Sequence, residues 1–131
     1  MDWKMLLVGK RFTVKEVLKK MDIGGEKILF VVDKGERLLG VVTDGDIRRY
    51  ILRDGKLENS VSSVYNPAPI HLESGGYTSE SAKKVMIEKK VEVLPVTDRK
   101  NKVIGALRWT YLYAAGEKTP APKENISIPG V

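Results

Sequence analysis

The 131-residue sequence predicts an α/β (α+β) fold of tandem repeats, with two small β-sheets flanked by helices and related by pseudo-two-fold symmetry. Three observations carry this. Sliding the chain by 65 residues lays "ILFVVDKGERLLGVVTDGDI" on "VLPVTDRKNKVIGALRWTYL" without a gap. Leu29 then falls on Leu94, Val31 on Val96, Asp33 on Asp98 and Gly40 on Gly105, and upstream Thr13 falls on Thr78 and Met21 on Met86. Repetition at one fixed offset marks a duplicated structural unit. Within each copy, two β-branched-rich runs of strand length flank a polar turn, and an apolar stripe at helical spacing precedes them.

The elements follow in order. Val14, Val17, Leu18 and Met21 recur at helical spacing, with Thr13 in front as the cap. "ILFVV" and "LLGVV" are strands joined by "DKGER", and "DIRRYIL" is a short helix. "NPAPIHLESGGY" is an irregular, partly extended connector. In the second copy Ala82, Val85 and Met86 form the stripe, capped by Thr78 or Ser79. "VEVLPV" and "VIGAL" surround "DRKNK", and "WTYLYAA" closes the copy. From Gly116 onward the prolines and the lack of helical period read as an exposed linker toward a neighbouring domain. The expected organisation is a first repeat with its N-terminal segment at 1–60, a second repeat at 61–115 and a tail at 116–131. One repeat of about 60 residues buries too little surface to be stable alone, so the copies are expected to share a core. Clefts would then lie between the repeats, one per repeat.

Composition removes several function classes. The absence of cysteine excludes disulfides, thiolate metal sites and cysteine nucleophiles. A single histidine, His71, argues against a zinc site or a Ser–His–Asp triad. No apolar run reaches membrane-spanning length and the start lacks a signal-peptide core, so a soluble, cytoplasmic protein is expected. The formal charge of +6 invites a nucleic-acid partner, but the basic residues are scattered pairs interleaved with acids, and few aromatics are available to stack bases.

The stretch that bears chemistry is "GVVTDGDIRR", residues 40–49. It admits three readings. Asp44 or Asp46 caps the following helix and nothing binds, a role worth about 1 kcal/mol. Alternatively Asp44 and Asp46 bind a divalent metal, although no companion acids stand by to complete an oxygen shell. In the third reading the stretch cradles a nucleotide. A carboxylate can accept from both hydroxyls of a ribose, and such charge-assisted bonds are about twice as strong as neutral ones. Thr43 adds a hydroxyl, Gly45 lets a ligand come close to the backbone, and a helix starting near Asp46 offers free N–H groups to an anion. Arg48 or Arg49, depending on helix phase, is placed to reach a phosphate.

The apolar run with Gly40, Thr43 and Asp46 in "GVVTDGD", duplicated with a "VLPVTD" strand, resembles a CBS-domain pair, also called a Bateman module. The resemblance covers about residues 8 to 115. It implies tandem CBS repeats that bind an adenine nucleotide (AMP, ADP or ATP) between them and regulate an attached enzyme or channel, without catalysis or a metal of their own. It further implies that Asp46 holds the ribose hydroxyls, Thr43 supports the ribose or phosphate, Val41 lines the base pocket and Gly45 allows close approach. Ile70 and His71 would give backbone contacts to the base, with Val93, Leu94 and Pro95 as an apolar wall. On periodicity alone Val41, Val93 and Leu94 also read as core, and His71 as an ordinary surface histidine.

The second copy departs from the pattern, because Arg108 and Tyr111 stand where Thr43 and Asp46 stand in the first. One competent cleft is therefore expected; Arg108 could neutralise a phosphate and Trp109 stack on a ring, but they read better as packing and surface residues. "LLGVVTDGDIRR" followed by "NPAPI" is similar to modules at the amino end of sugar-phosphate nucleotidyltransferase-like proteins, and a near-identical turn closes arabinose-5-phosphate isomerase-type enzymes. The start near Met1 and the trailing linker fit the first arrangement better. The expected function is a nucleotide-sensing module, a homodimer as such modules commonly are, serving a downstream enzyme domain. The alternative is a structural dimerisation module with a vestigial site.

Overall fold

The computed structural model describes residues 3–115. The tail at 116–131, expected as a linker, lies outside the described residues. The described residues divide into two compact units, one spanning Met5–Pro69 and the other running from Ile70 onward together with Trp3 and Lys4.

The first unit runs β1 (Leu7–Gly9), α1 (Val14–Gly24), β2 (Ile28–Val32), β3 (Leu38–Thr43) and α2 (Asp44–Leu52). The second runs β4 (Leu72–Glu73), α3 (Ser79–Lys89), β5 (Val93–Thr97), β6 (Val103–Arg108) and α4 (Trp109–Ala115). The bounds of α3, β5 and β6 are those of α1, β2 and β3 displaced by 65 residues. Each unit holds a three-stranded sheet, β1-β2-β3 and β4-β5-β6, with a parallel first pair and an antiparallel second pair. The leading strand β1 was not expected from sequence, and β4 lies in the connector expected to be partly extended. At three and two residues they are too short to show a period, and only pairing to their neighbours defines them.

Local chemistry repeats as closely as the elements do. Thr13 caps α1 and Thr78 caps α3, each in a reciprocal capping box with Glu16 or Ser81. In the two hairpin turns Asp33 Oδ1 accepts from the Gly35 and Arg37 amides, and Asp98 Oδ1 accepts from those of Lys100 and Lys102. Glu36 and Asn101 occupy the same left-handed position, at φ 63° and 66°. One difference is instructive. Leu7 lies opposite Phe30 in the first sheet, but Leu72 lies opposite Val96 in the second. Pro95 stands where Phe30 does and has no amide hydrogen to offer a neighbouring strand, so pairing starts one residue later.

The α1 stripe buries Val14, Val17 and Met21, with Leu18 half-buried at its margin. β2 is buried along its whole length. The second unit's core gathers Leu72, Ala82, Met86, Leu94, Val96, Leu107 and Leu112. Residues 60–66 fold with the first unit: Thr13 bridges Ser60, Val61 is fully buried, and Val41 and Asn66 exchange backbone hydrogen bonds of 3.2 and 2.8 Å. A Cβ at Gly40 would overlap Asn66 O and the Tyr65 ring, so this glycine is what lets the connector lie against β3.

Candidate functional site

β3 alternates. Leu38, Gly40 and Val42 face the core, whereas Leu39, Val41 and Thr43 are half-buried on the opposite face. Val41 is therefore not a core residue; it shares an open face with Thr43.

At Thr43 the backbone is still extended (φ −109°, ψ 164°), and α2 begins with Asp44. The expectation of a helix starting near Asp46, capped by Asp44 or Asp46, is corrected: the cap is Thr43. Its Oγ1 accepts from the Asp46 amide at 3.0 Å, and Asp46 Oδ2 accepts from the Thr43 amide at 2.9 Å. A threonine followed three residues later by an acid is the sequence signature of such a box, so the feature was legible. The expectation of free N–H groups is corrected with it. The Asp44 amide donates to Lys27 O (3.0 Å), that of Gly45 to Asp44 Oδ1 (2.9 Å) and that of Asp46 to Thr43. The leading amides of α2 have acceptors in the chain, so attraction for an anion here rests on Arg48 and Arg49.

The Asp46 side chain is 23% exposed, and its Oδ1 accepts from Arg49 Nη2 at 2.9 Å. A carboxylate has about four lone-pair sites, and two are used here. Arg48 approaches Asp44 only to 3.9 Å. Gly45 lies in the first helical turn without a left-handed φ, so it is not needed for turning the chain. A Cβ there would lie 3.3 Å from Arg49 Nη1 and 3.6 Å from Arg48 Nη2, the ends of two flexible side chains. Val41, Thr43, Gly45, Asp46 and Arg49 are thus brought together by one strand end and one helical turn. Sequence reasoning passed over Lys27, whose carbonyl pins the start of α2, and the Tyr65–Asn66 segment beside β3. Gly40, a glycine inside a strand, was the available sign of the latter.

In the second unit Ile70 packs against the core, and His71 is exposed just ahead of β4. Val93, Leu94 and Pro95 are buried in β5, and Leu94 belongs to the core cluster. The Trp109 amide donates to Glu92 O at 2.7 Å, matching the Asp44–Lys27 link. The side-chain box is lost, because the guanidinium of Arg108 has donors only and cannot accept from an amide. Tyr111 and Trp109 pack against the core where the first unit carries polar groups. Among the described residues, no cluster of three or more histidine and acidic side chains could hold a metal ion. No helix among them is long and apolar enough to cross a membrane.

Two βαββα units of the same element order, with α1, β2 and β3 repeated at one 65-residue offset and a Thr–Asp turn at a strand end of the first, define a tandem-repeat module. Residues 1–53 match the family model described as "CBS domain", and the two units together have the fold of tandem CBS repeat structures, a CBS-domain pair. Arabinose 5-phosphate isomerase GutQ of Salmonella typhi is 30% identical over 104 residues, covering 79% of this chain and 32% of its own length. Meiotically up-regulated gene 70 protein of Schizosaccharomyces pombe is 34% identical over 122 residues, which are 92% of this chain and 16% of that protein. The chain spans about a third or less of the length of these curated relatives. The structure of CBSX2 in complex with AMP is 25% identical, with a TM-score of 0.71 and coverage of 83% of this chain and 84% of that one; CBSX2 is a protein of Arabidopsis thaliana.

Proposed function

We propose that this chain is a non-catalytic regulatory module that binds an adenine nucleotide at the Thr43–Asp46 turn and controls an attached or partner enzyme. The observation that carries the proposal is the Asp46 carboxylate. It is held by the capping box, partly exposed, and retains acceptor capacity beside Thr43 on the half-open face that also bears Val41. Two ribose hydroxyls are the donors this arrangement suits, with the base along Val41 and the phosphates toward Arg49. Ile70, His71, Val93, Leu94 and Pro95 are proposed to contribute to the same ligand. The AMP complex of CBSX2 supports an adenine nucleotide as ligand. The isomerase relatives support an enzyme acting on a sugar phosphate; a nucleotidyltransferase, suggested by the turn and "NPAPI", is the alternative parent. Control requires the nucleotide to bind two arrangements of the module with different affinity. A homodimer is part of the proposal.

A second reading has one observation in its favour: the box satisfies Thr43 and Asp46 without any ligand, as it would in a purely structural dimerisation module. Calorimetry and thermal shift with AMP, ADP, ATP, S-adenosylmethionine, GTP and a sugar nucleotide separate the two. Saturable binding of an adenine nucleotide by the natural chain, weakened about tenfold or more by Asp46→Ala, supports the sensor. No binding by a folded dimer supports the structural module.

A further inference from the structure

The proposed ribose acceptor already has an internal partner. Arg49 Nη2 donates to Asp46 Oδ1 at 2.9 Å, and the Arg49 guanidinium lies over the bare backbone of Gly45. Asp46 Oδ2 is committed to the Thr43 amide, which makes Oδ1 the less encumbered oxygen and the one that Arg49 holds. A ribose seated on this carboxylate has to share or displace that donor. Once displaced, the guanidinium is still a cation seeking an anionic partner. The leading amides of α2 are occupied, so the cationic groups that this helix itself can offer a ligand anion are its two arginines. Arg48 stands 3.9 Å from Asp44, in a looser pair.

We propose that Arg49 makes the site selective for nucleoside phosphates over nucleosides by exchanging partners, leaving Asp46 as the ribose arrives and pairing with the phosphate. This inference rests on the proposed function and names the discriminating residue of that same site. A nucleoside must break the Asp46–Arg49 pair and offers the guanidinium nothing in return. A nucleoside monophosphate breaks the same pair and replaces carboxylate with phosphate, to which arginine can bind in bidentate fashion. The arginine thus acts twice, as a competitor of the ribose and as a ligand of the phosphate. These effects have opposite signs, and that sets the idea apart from a simple contact.

The test is titration of AMP and adenosine, followed by amide NMR shifts to millimolar concentration, on the natural chain, Arg49→Ala and Arg48→Ala. Arg49 is 63% exposed on a helix, and alanine is a good helix former, so the fold is expected to survive. For Arg49→Ala, adenosine affinity is expected to rise by up to about fivefold, the strength of an exposed ion pair. AMP affinity is expected to fall by about tenfold or more, the value of a charged hydrogen bond. Arg48→Ala is expected to leave the AMP-to-adenosine ratio within about twofold, because its loose surface pair contributes little. If Arg49→Ala weakens both ligands alike, or changes neither, while the natural chain binds AMP, the exchange is refuted and the nucleotide reading survives. If the natural chain binds neither AMP nor adenosine, nor any other adenine nucleotide, the proposed function fails and the exchange fails with it.

Discussion

Asp46 has two roles that one pair of substitutions can separate. As the third residue of α2 it accepts from the Thr43 amide, and as a carboxylate it pairs with Arg49 and is the proposed ribose acceptor. Asp46→Ala removes everything. Losing its half of the capping box costs about 0.5–2 kcal/mol. Losing an ion pair whose arginine is 63% exposed adds up to about 1 kcal/mol. A total near 1–3 kcal/mol is tolerable against the roughly 5–15 kcal/mol of an ordinary domain, so the variant stays folded. The chain itself supplies the separating substitution. At the corresponding place in α3, Ser81 closes the box: its Oγ accepts from the Thr78 amide at 2.8 Å, and its amide donates to Thr78 Oγ1 at 3.0 Å. Asp46→Ser is therefore expected to keep most of the box, and to unfold in urea within about 0.5 kcal/mol of the natural chain, while losing the carboxylate. AMP affinity measured by calorimetry should fall about tenfold or more in both variants. Equal stability losses in the serine and alanine variants would show that serine does not rebuild the box at this position. Unchanged AMP affinity in the serine variant would refute the carboxylate as the ribose grip.

Three further outcomes follow from the same structure. Gly40→Ala should lower stability by about 1–3 kcal/mol in urea melts, since the new methyl overlaps Asn66 O and the Tyr65 ring and forces the connector off β3. Lys90 ends α3 in the left-handed region at φ 56°, where Gly25 ends α1 at φ 65°. Lys90→Gly should therefore stabilise by up to about 1 kcal/mol and Gly25→Ala destabilise by about 1 kcal/mol, both read as urea midpoints. The Thr13 amide and hydroxyl hold the Glu16 carboxyl below the usual glutamate range, aided by the Lys19 charge. A lowered folded-state value gives stability that is present above the ordinary glutamate pKa and lost as pH falls through the folded one. Glu16→Gln should flatten the loss of stability on acidification in that window, and an unchanged pH profile would show that the Glu16 charge adds nothing to the box.

The repeat was written in the chain. The 65-residue offset read from Leu29, Val31, Asp33 and Gly40 is the offset between α1 and α3, β2 and β5, and β3 and β6. It was legible because apolar periodicity and turn chemistry are local, so residues a few positions apart already declare a helix stripe, a strand pair or an aspartate-held turn. The Thr-x-x-Asp box was legible in the same way, although a carboxylate in "TDGD" draws the eye toward ligands before it suggests a cap. What only tertiary structure decided is everything set by a partner distant in sequence. Leu7–Gly9 and Leu72–Glu73 are strands because β2 and β5 lie beside them, and Gly40 must be glycine because Asn66 lies against it. Val41 reads as core from its neighbours but shares the half-open face of Thr43 because of where β3 lies in its sheet. Lys27 O occupies the Asp44 amide at the start of α2, and no local pattern announces such a contact. Local propensity names the elements; long-range pairing decides which of their groups are left for a ligand.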